Sequence, residues 1–210
     1  MKRTHLEVVS SGGTTYTFGV NLGIDFPGRR IVICVAATSP DVSGILNRTA
    51  GTLAGASLGV GPGGAWFNPG VNVNMGILID APGGVGGTSA TFSMSYDRSI
   101  NHLSCVVYSV ANIPNSFHSN SNGGQPLTST STTINVDTNG VVIAHAIKAD
   151  STDVNLSGVN EDIDFDLGSS GVRVGVGFQN RMSAQTGRSI GMTGSGASNA
   201  CELAVVSFGS

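Results

Sequence analysis

Gly28–Ser39, GRRIVICVAATS, is the stretch whose reading decides the fold. Ile31 to Ala37 are seven consecutive small or branched apolar residues, preceded by Arg29-Arg30 and followed by the turn residues Ser39-Pro40-Asp41. A run of that length and composition reads as a β-strand covered on both faces, because a half-exposed strand would alternate apolar and polar side chains. No other segment is so uniformly apolar, which places it at the centre of a sandwich core. Leu103 to Ala111, LSCVVYSVA, is the second nearly all-apolar run and the expected neighbour of this strand.

The rest of the composition agrees. The chain has 210 residues, 31 of them glycine, and only 11% are charged. Gly reaches positive φ without steric cost, and Asn and Ser bond their own backbone, so this composition suits many short strands joined by tight turns. Lys, Glu and Arg, the usual formers of surface helices, are scarce, and no window keeps an apolar face at a 3.6-residue period. At this length a single domain buries roughly 70% of its unfolded surface. The expected fold is therefore all-β, a single antiparallel β-sandwich of jelly-roll type spanning residues 1–210, with residues 1–14 as an alternative N-terminal arm.

Further strands are expected at His5–Val9, Tyr16–Val20, Val73–Asp80, Asp162–Leu167, Val172–Phe178 and Cys201–Phe208. Between Thr88 and Tyr96 the alternation is strict: Ala90, Phe92, Met94 and Tyr96 on one face, Ser89, Thr91, Ser93 and Ser95 on the other. A hairpin is expected around Thr49–Gly51. Thr128–Val136 and Val141–Ile147 read as a second hairpin closed by Asp137-Thr138-Asn139-Gly140. Ile113–Gln125 has no strand pattern and reads as a polar loop suited to specific contacts. No long-period internal repeat is evident in the residues.

The chemical motifs are weak against their structural alternatives. Gly59-Val60-Gly61-Pro62-Gly63-Gly64 matches G-x-G-x-x-G, but Trp66, Asn68, Pro69 and Gly70 follow where a dinucleotide site needs a helix. Gly55-Ala56-Ser57-Leu58-Gly59 matches the nucleophile-elbow pattern without the α/β alternation that gives the elbow its geometry. Glu161, Asp162, Asp164 and Asp166 form the acidic cluster; at spacing two the three aspartates share one face of a strand, which reads as a solvated face or one meeting a basic partner. A calcium loop would need Gly at Leu167. Cys34, Cys105 and Cys201 lie far apart in apolar runs and read as buried thiols, with an intermolecular disulfide as the alternative. A net charge of −3 with no basic cluster argues against nucleic acid, and no segment has the length of a membrane span. No cofactor is expected.

From Thr15 to Asn112 the order of elements is similar to that of small β-sandwich structural proteins of tailed bacteriophages. The matching parts are GVNLG at Gly19–Gly23, an Arg-Arg pair leading into an apolar strand at Arg29–Thr38, a glycine-rich hairpin at Thr52–Gly59, an alternating Ser/Thr strand at Thr88–Tyr96 and an apolar strand at Cys105–Asn112. Thr132–Ala146 resembles the late hairpin of that family. The resemblance implies a non-enzymatic virion component of the tail, neck or capsid surface, an appendage or decoration protein made in the host cytoplasm without a signal peptide. It would be a homo-oligomer in contact with other virion proteins, and the family carries no catalytic residue to transfer. The competing reading is a lectin-like domain that binds a host-surface glycan through Asn112, Asn115, Phe117, His118, Asn120 and Asn122, with Phe117 as the stacking ring. A glycosidase or esterase ranks below both.

Overall fold

The computed structural model describes the chain except residues 11, 42, 69–70, 81–83, 112–116, 125–126, 150–152, 169–170, 196–200 and 210, and describes residues 66–68 and 71 by their backbone alone. The strands of the first half are β1 Lys2–Ser10, β2 Thr15–Asn21, β3 Arg29–Ser39, β4 Arg48–Leu53, β5 Ala56–Ser57, β6 Gly59–Val60, β7 Ala65–Asn68, β8 Val71–Ile79, β9 Ser89–Tyr96 and β10 His102–Ala111. Those of the second half are β11 His118–Gly124, β12 Ser129–Val136, β13 Gly140–Ala149, β14 Asn155–Ser157, β15 Asn160–Asp166, β16 Val172–Met182, β17 Gln185–Thr193 and β18 Cys201–Phe208. The protein is all-β, as the composition requires.

These strands form four antiparallel sheets stacked as layers. In the first half, an inner sheet ordered β1-β10-β3-β8-β6, with β7 also on β8, packs against an outer sheet β2-β9-β4-β5. In the second half, an inner sheet β11-β18-β13-β16-β15 packs against an outer sheet β12-β17-β14. Each sandwich has its own core: Ile31, Ile33, Val35, Phe92 and Met94 belong to the first, and Val142, Ala144, Ile190, Met192 and Leu203 to the second. A third core lies between the two inner sheets, where Val32, Cys34, Met75, Ile77 and Tyr108 meet Ile143, Ile147, Val174, Val176 and Val206.

The GRRIVICVAATS stretch therefore needs both faces apolar. All eleven residues of β3 are buried; its odd-numbered core residues face the first outer sheet and its even-numbered ones the second half. Leu103–Ala111 is its neighbour as expected, with Cys105 opposite Val35 and Tyr108 opposite Val32.

The two halves share one topology. The inner orders β1-β10-β3-β8 and β11-β18-β13-β16 correspond strand for strand, as do the outer orders β2-β9-β4 and β12-β17-β14. Register follows: Cys34 sits between Val106 and Ile77, and His145 between Ala204 and Val176. The sandwich is thus a tandem of two equivalent units, a repeat the residues themselves do not display.

Two expected hairpins differ. The glycine-rich one turns at Ala54-Gly55, both at positive φ, so that Thr52 pairs with Ser57. The Asp137–Gly140 turn forms, with Asn139 at φ 56° and Gly140 N donating to Asp137 O, but it joins different layers. β12 pairs with β17, while β13 pairs with β16 and β18. Val136 and Val142 are both claimed by the second core, which a flat hairpin would not permit.

Because the third core joins the halves, they should unfold together. Ile147→Ala is expected to cost about 2–4 kcal/mol in a single urea transition; two resolved transitions in the wild-type protein would show that the halves are independent.

Candidate functional site at the corner between β11 and β12

The polar segment proposed for contacts is not a loop from His118 onward. His118–Gly124 is an edge strand, β11, paired along its whole length with β18. Its Ser, Asn and Gly residues have low strand propensity, and side-chain bonds to the neighbouring layer help hold it. Asn122 Nδ2 donates to Ser131 O at 2.7 Å and Asn120 Nδ2 to Thr133 O at 2.9 Å. Ser207 Oγ on β18 donates to Asn135 O at 2.5 Å. These three consecutive outward carbonyls belong to β12, the edge of the outer sheet, so this corner closes an edge that would otherwise be free to pair with another chain.

The lectin-like set is therefore divided. Asn120 and Asn122 are occupied in stitching the layers, and Asn112 and Asn115 lie outside the described residues. Phe117 packs its ring against Phe208, centroids 5.8 Å apart, on the side of the third core. His118 pairs with Ser207, whose hydroxyl points to the outer sheet, so Phe117 and His118 do not act on one ligand face. Only His118 reaches an open feature. It lines a groove of about 320 Å³ with Asn135, Val136, Asp137, Ala184, Gln185 and Thr186. His118 Nε2 lies 3.6 Å from Asp137 Oδ2, both side chains half exposed. Gly187 N donates to Asn135 Oδ1, and Arg188 Nη1 to Gln185 Oε1, each at 3.0 Å. The groove thus has oriented amide and carboxylate groups and polar walls.

The acidic residues do not share one face either. A bulge between Glu161 and Ile163 turns Asp162 toward the first half. There Tyr108 Oη donates to Asp162 Oδ2 at 2.9 Å, and Arg3 Nη1 lies 3.2 Å from the same oxygen. Asp164 and Asp166 stay on the opposite side, where Arg173 bridges them at 2.7 Å and 3.0 Å. All three carboxylates are paired within the chain, Asp164 and Asp166 sharing the single charge of Arg173. The bulge is the reason, since an extra residue in one strand inverts the alternation on which the spacing argument rested.

Other residue clusters serve the fold. Arg30 Nε lies 2.8 Å from Asp80 Oδ1 in a buried pair. Arg29, at the entrance of β3, donates to the carbonyls of Ile24, Val85 and Gly87, with Asp25 3.4 Å away. Gly61 and Gly63 of the G-x-G-x-x-G match lie against the carbonyls of Ile77 and Met75, where a Cβ would collide. Ser57 of the elbow match belongs to the β4–β5 hairpin. Cys34, Cys105 and Cys201 are free and buried, and burial pushes all three thiols up. Among the described residues no three His, Cys, Asp or Glu side chains come together as a metal-binding group.

Two titratable groups sit between the halves, and the sequence reading singled out neither. His145 is fully buried on the face of β13 toward β8. Both its ring nitrogens lack a well-formed hydrogen bond, although the nearby Gly76 backbone favours the protonated form slightly. Burial pushes this imidazole down to about 3. Glu202, on β18, has its carboxylate against Gly64 of the first half and Gly123 of the second, in space that a Cβ on either would fill. Burial raises it to about 7. Neither could be found by motif, since each is one polar residue inside an apolar strand.

No protein-family model matches the chain, and no curated protein matches it.

The seam makes stability depend on pH in two opposed ways. His145, held below its ordinary 6.5, contributes stability that is full above pH 6.5 and lost as pH falls toward 3. Glu202, held above its ordinary 4.5, contributes stability that is full below pH 4.5 and lost as pH rises to about 7. Glu202→Gln should therefore remove a loss of about 1–2 kcal/mol between pH 4.5 and 7, allowing for partial exposure of the carboxylate. Urea unfolding across that range checks it, and an unchanged pH profile in the variant would contradict the assignment.

Proposed function

We propose that the protein is a non-enzymatic structural component of a tailed-phage virion, of the tail, neck or capsid surface, that works through contacts with copies of itself and with other virion proteins. The observation that carries the contact-making part is the duplicated stack. Two equivalent sandwiches, joined across a shared core, hold an outer sheet on each side of one body. The exposed faces are hydroxyl and amide surfaces: Thr15, Thr17, Ser93 and Ser95 on one, Ser129, Ser131, Thr133 and Ser189 on the other. Strands β2, β9, β12 and β14 contain no Lys, Arg, Asp or Glu. On the first face, cross-strand bonds Thr15–Ser95 and Thr17–Ser93, both 2.9 Å, order the hydroxyls. Such surfaces meet identical copies without the repulsion that like charges bring. The virion setting is supported by the order of elements between Thr15 and Asn112.

A second reading, a host-glycan binder, is favoured by one feature, the groove beside His118 and Asp137, whose volume and polar lining suit a single sugar ring. Alanine at His118 and Gln185 with loss of signal on a glycan array would support it.

Native mass measurement tests the leading reading. The expected result is a concentration-dependent homo-oligomer that Thr17→Glu or Ser131→Glu weakens without lowering the thermal midpoint. A strict monomer at high concentration would count against self-assembly.

A further inference from the structure

The internal repeat exposes a difference between the halves. Ser109 and Ser207 hold the same register position, opposite Ile31 and Val142, the first core residues of β3 and β13 on the outer-sheet side. Asn21, the last residue of β2, and Asn135, the penultimate residue of β12, likewise sit near the ends of equivalent strands. In the second half the Ser207 hydroxyl donates to the carbonyl of Asn135. In the first half the carbonyl of Asn21 accepts from Thr4 Oγ1 at 2.8 Å. Among the described residues the Ser109 hydroxyl has no partner, although Ser109 is only 7% exposed.

Ser109 lines a cavity of about 490 Å³ that also touches Asn21 and Thr4. Ile24, Phe26 and Ala111 give the cavity an apolar wall, and Ile24 is 82% exposed, an unusual position for a large aliphatic side chain. Lys2 pairs with Ser109 across the strand and so projects to the same side. Arg3 also lines the cavity but is engaged by Asp162. No Asp or Glu lines it, and Lys2 has no carboxylate partner among the described residues.

From this placement we propose that the cavity is a binding site for a small amphipathic anion, an apolar body with a carboxylate or sulfonate head. The head accepts from the Ser109 hydroxyl and is neutralised by Lys2; the body covers Ile24 and Phe26. A buried donor without an acceptor is costly, and a cavity of this size with an apolar wall and a few convergent polar groups has the character of a small-molecule site. The inference is independent of the assembly reading, since it concerns the end of the first sandwich and not its outer face.

Fluorescence titration of the full chain with anilinonaphthalenesulfonate tests it, with near-UV circular dichroism confirming that the protein stays folded. Saturable one-to-one binding is expected. Lys2→Glu, a change at an exposed position, should weaken binding about tenfold or more, roughly 1.4 kcal/mol per decade. Ser109→Leu, which fills the cavity, should abolish it, and decanoate should displace the dye. Absence of saturable binding to the folded protein, or binding that neither substitution changes, would overturn the site. Equal binding of uncharged phenylnaphthylamine would overturn its preference for an anion.

Discussion

Packing of the two inner sheets against one another is the constraint on which the rest of this structure depends. A sheet with one solvated face can afford alternating strands; a sheet covered on both sides cannot. Strands β3, β10, β13 and β18 accordingly carry few polar side chains, and the exceptions are informative. Tyr108 reaches past the seam to Asp162, Lys148 escapes its fully buried position by donating to Ser195 O at 3.2 Å, and Glu202 is held where two glycines make room. His145 stays between the two inner sheets with no well-formed hydrogen bond. Burying these groups uncompensated would cost several kcal/mol each, so the positions of Tyr108 and Glu202 mark where the seam is tolerant, while Lys148 faces the second outer sheet.

The same constraint explains what the sequence disclosed. A doubly covered strand announces itself by composition, so GRRIVICVAATS and LSCVVYSVA could be recognised and even paired from their residues. The Ser/Thr alternation of β9 was legible because an outer sheet has one wet face. Turn chemistry was legible at Asn139, which takes positive φ, but not at Ala54-Gly55, where an alanine at positive φ gives no turn signal of its own. What each turn connects was not: Asp137–Gly140 crosses from one layer to another because both flanking strands supply the same core from opposite sides, which is a property of packing and not of the turn. Strand β11 was hidden for the converse reason. HSNSNGG has no strand preference of its own and becomes a strand through the ladder to β18 and the amide bonds of Asn120 and Asn122. The Asp162 bulge escaped detection because alternation in sequence presumes an unbroken register.

The repeat was invisible because the shared requirement is a pattern. At equivalent positions Cys34 stands for His145 and Ile77 for Val176, pairs with nothing in common beyond fitting a buried, two-sided strand. Among the polar residues Asn21 and Asn135 keep both identity and duty, each accepting from the amide of a turn glycine, Gly23 or Gly187. Fold equivalence here survives on apolar periodicity and a few polar corner residues.

Those corners also govern where contacts can form. At the β11–β12 corner the layers consume their own edge carbonyls, and at the corresponding β1–β2 corner Thr4 does part of the same work. Several carboxylates and guanidinium groups are drawn into pairs at strand entrances and edges, as with Arg29, Arg30, Arg98 and Arg173. With these groups engaged internally, the broad surfaces left for a partner are the two hydroxyl faces. Recognition there must come from shape and ordered hydrogen-bonding groups, because little charge is available to steer it. Association through such faces would be slow by electrostatic standards and only weakly dependent on salt, which suits a permanent assembly more than a transient encounter.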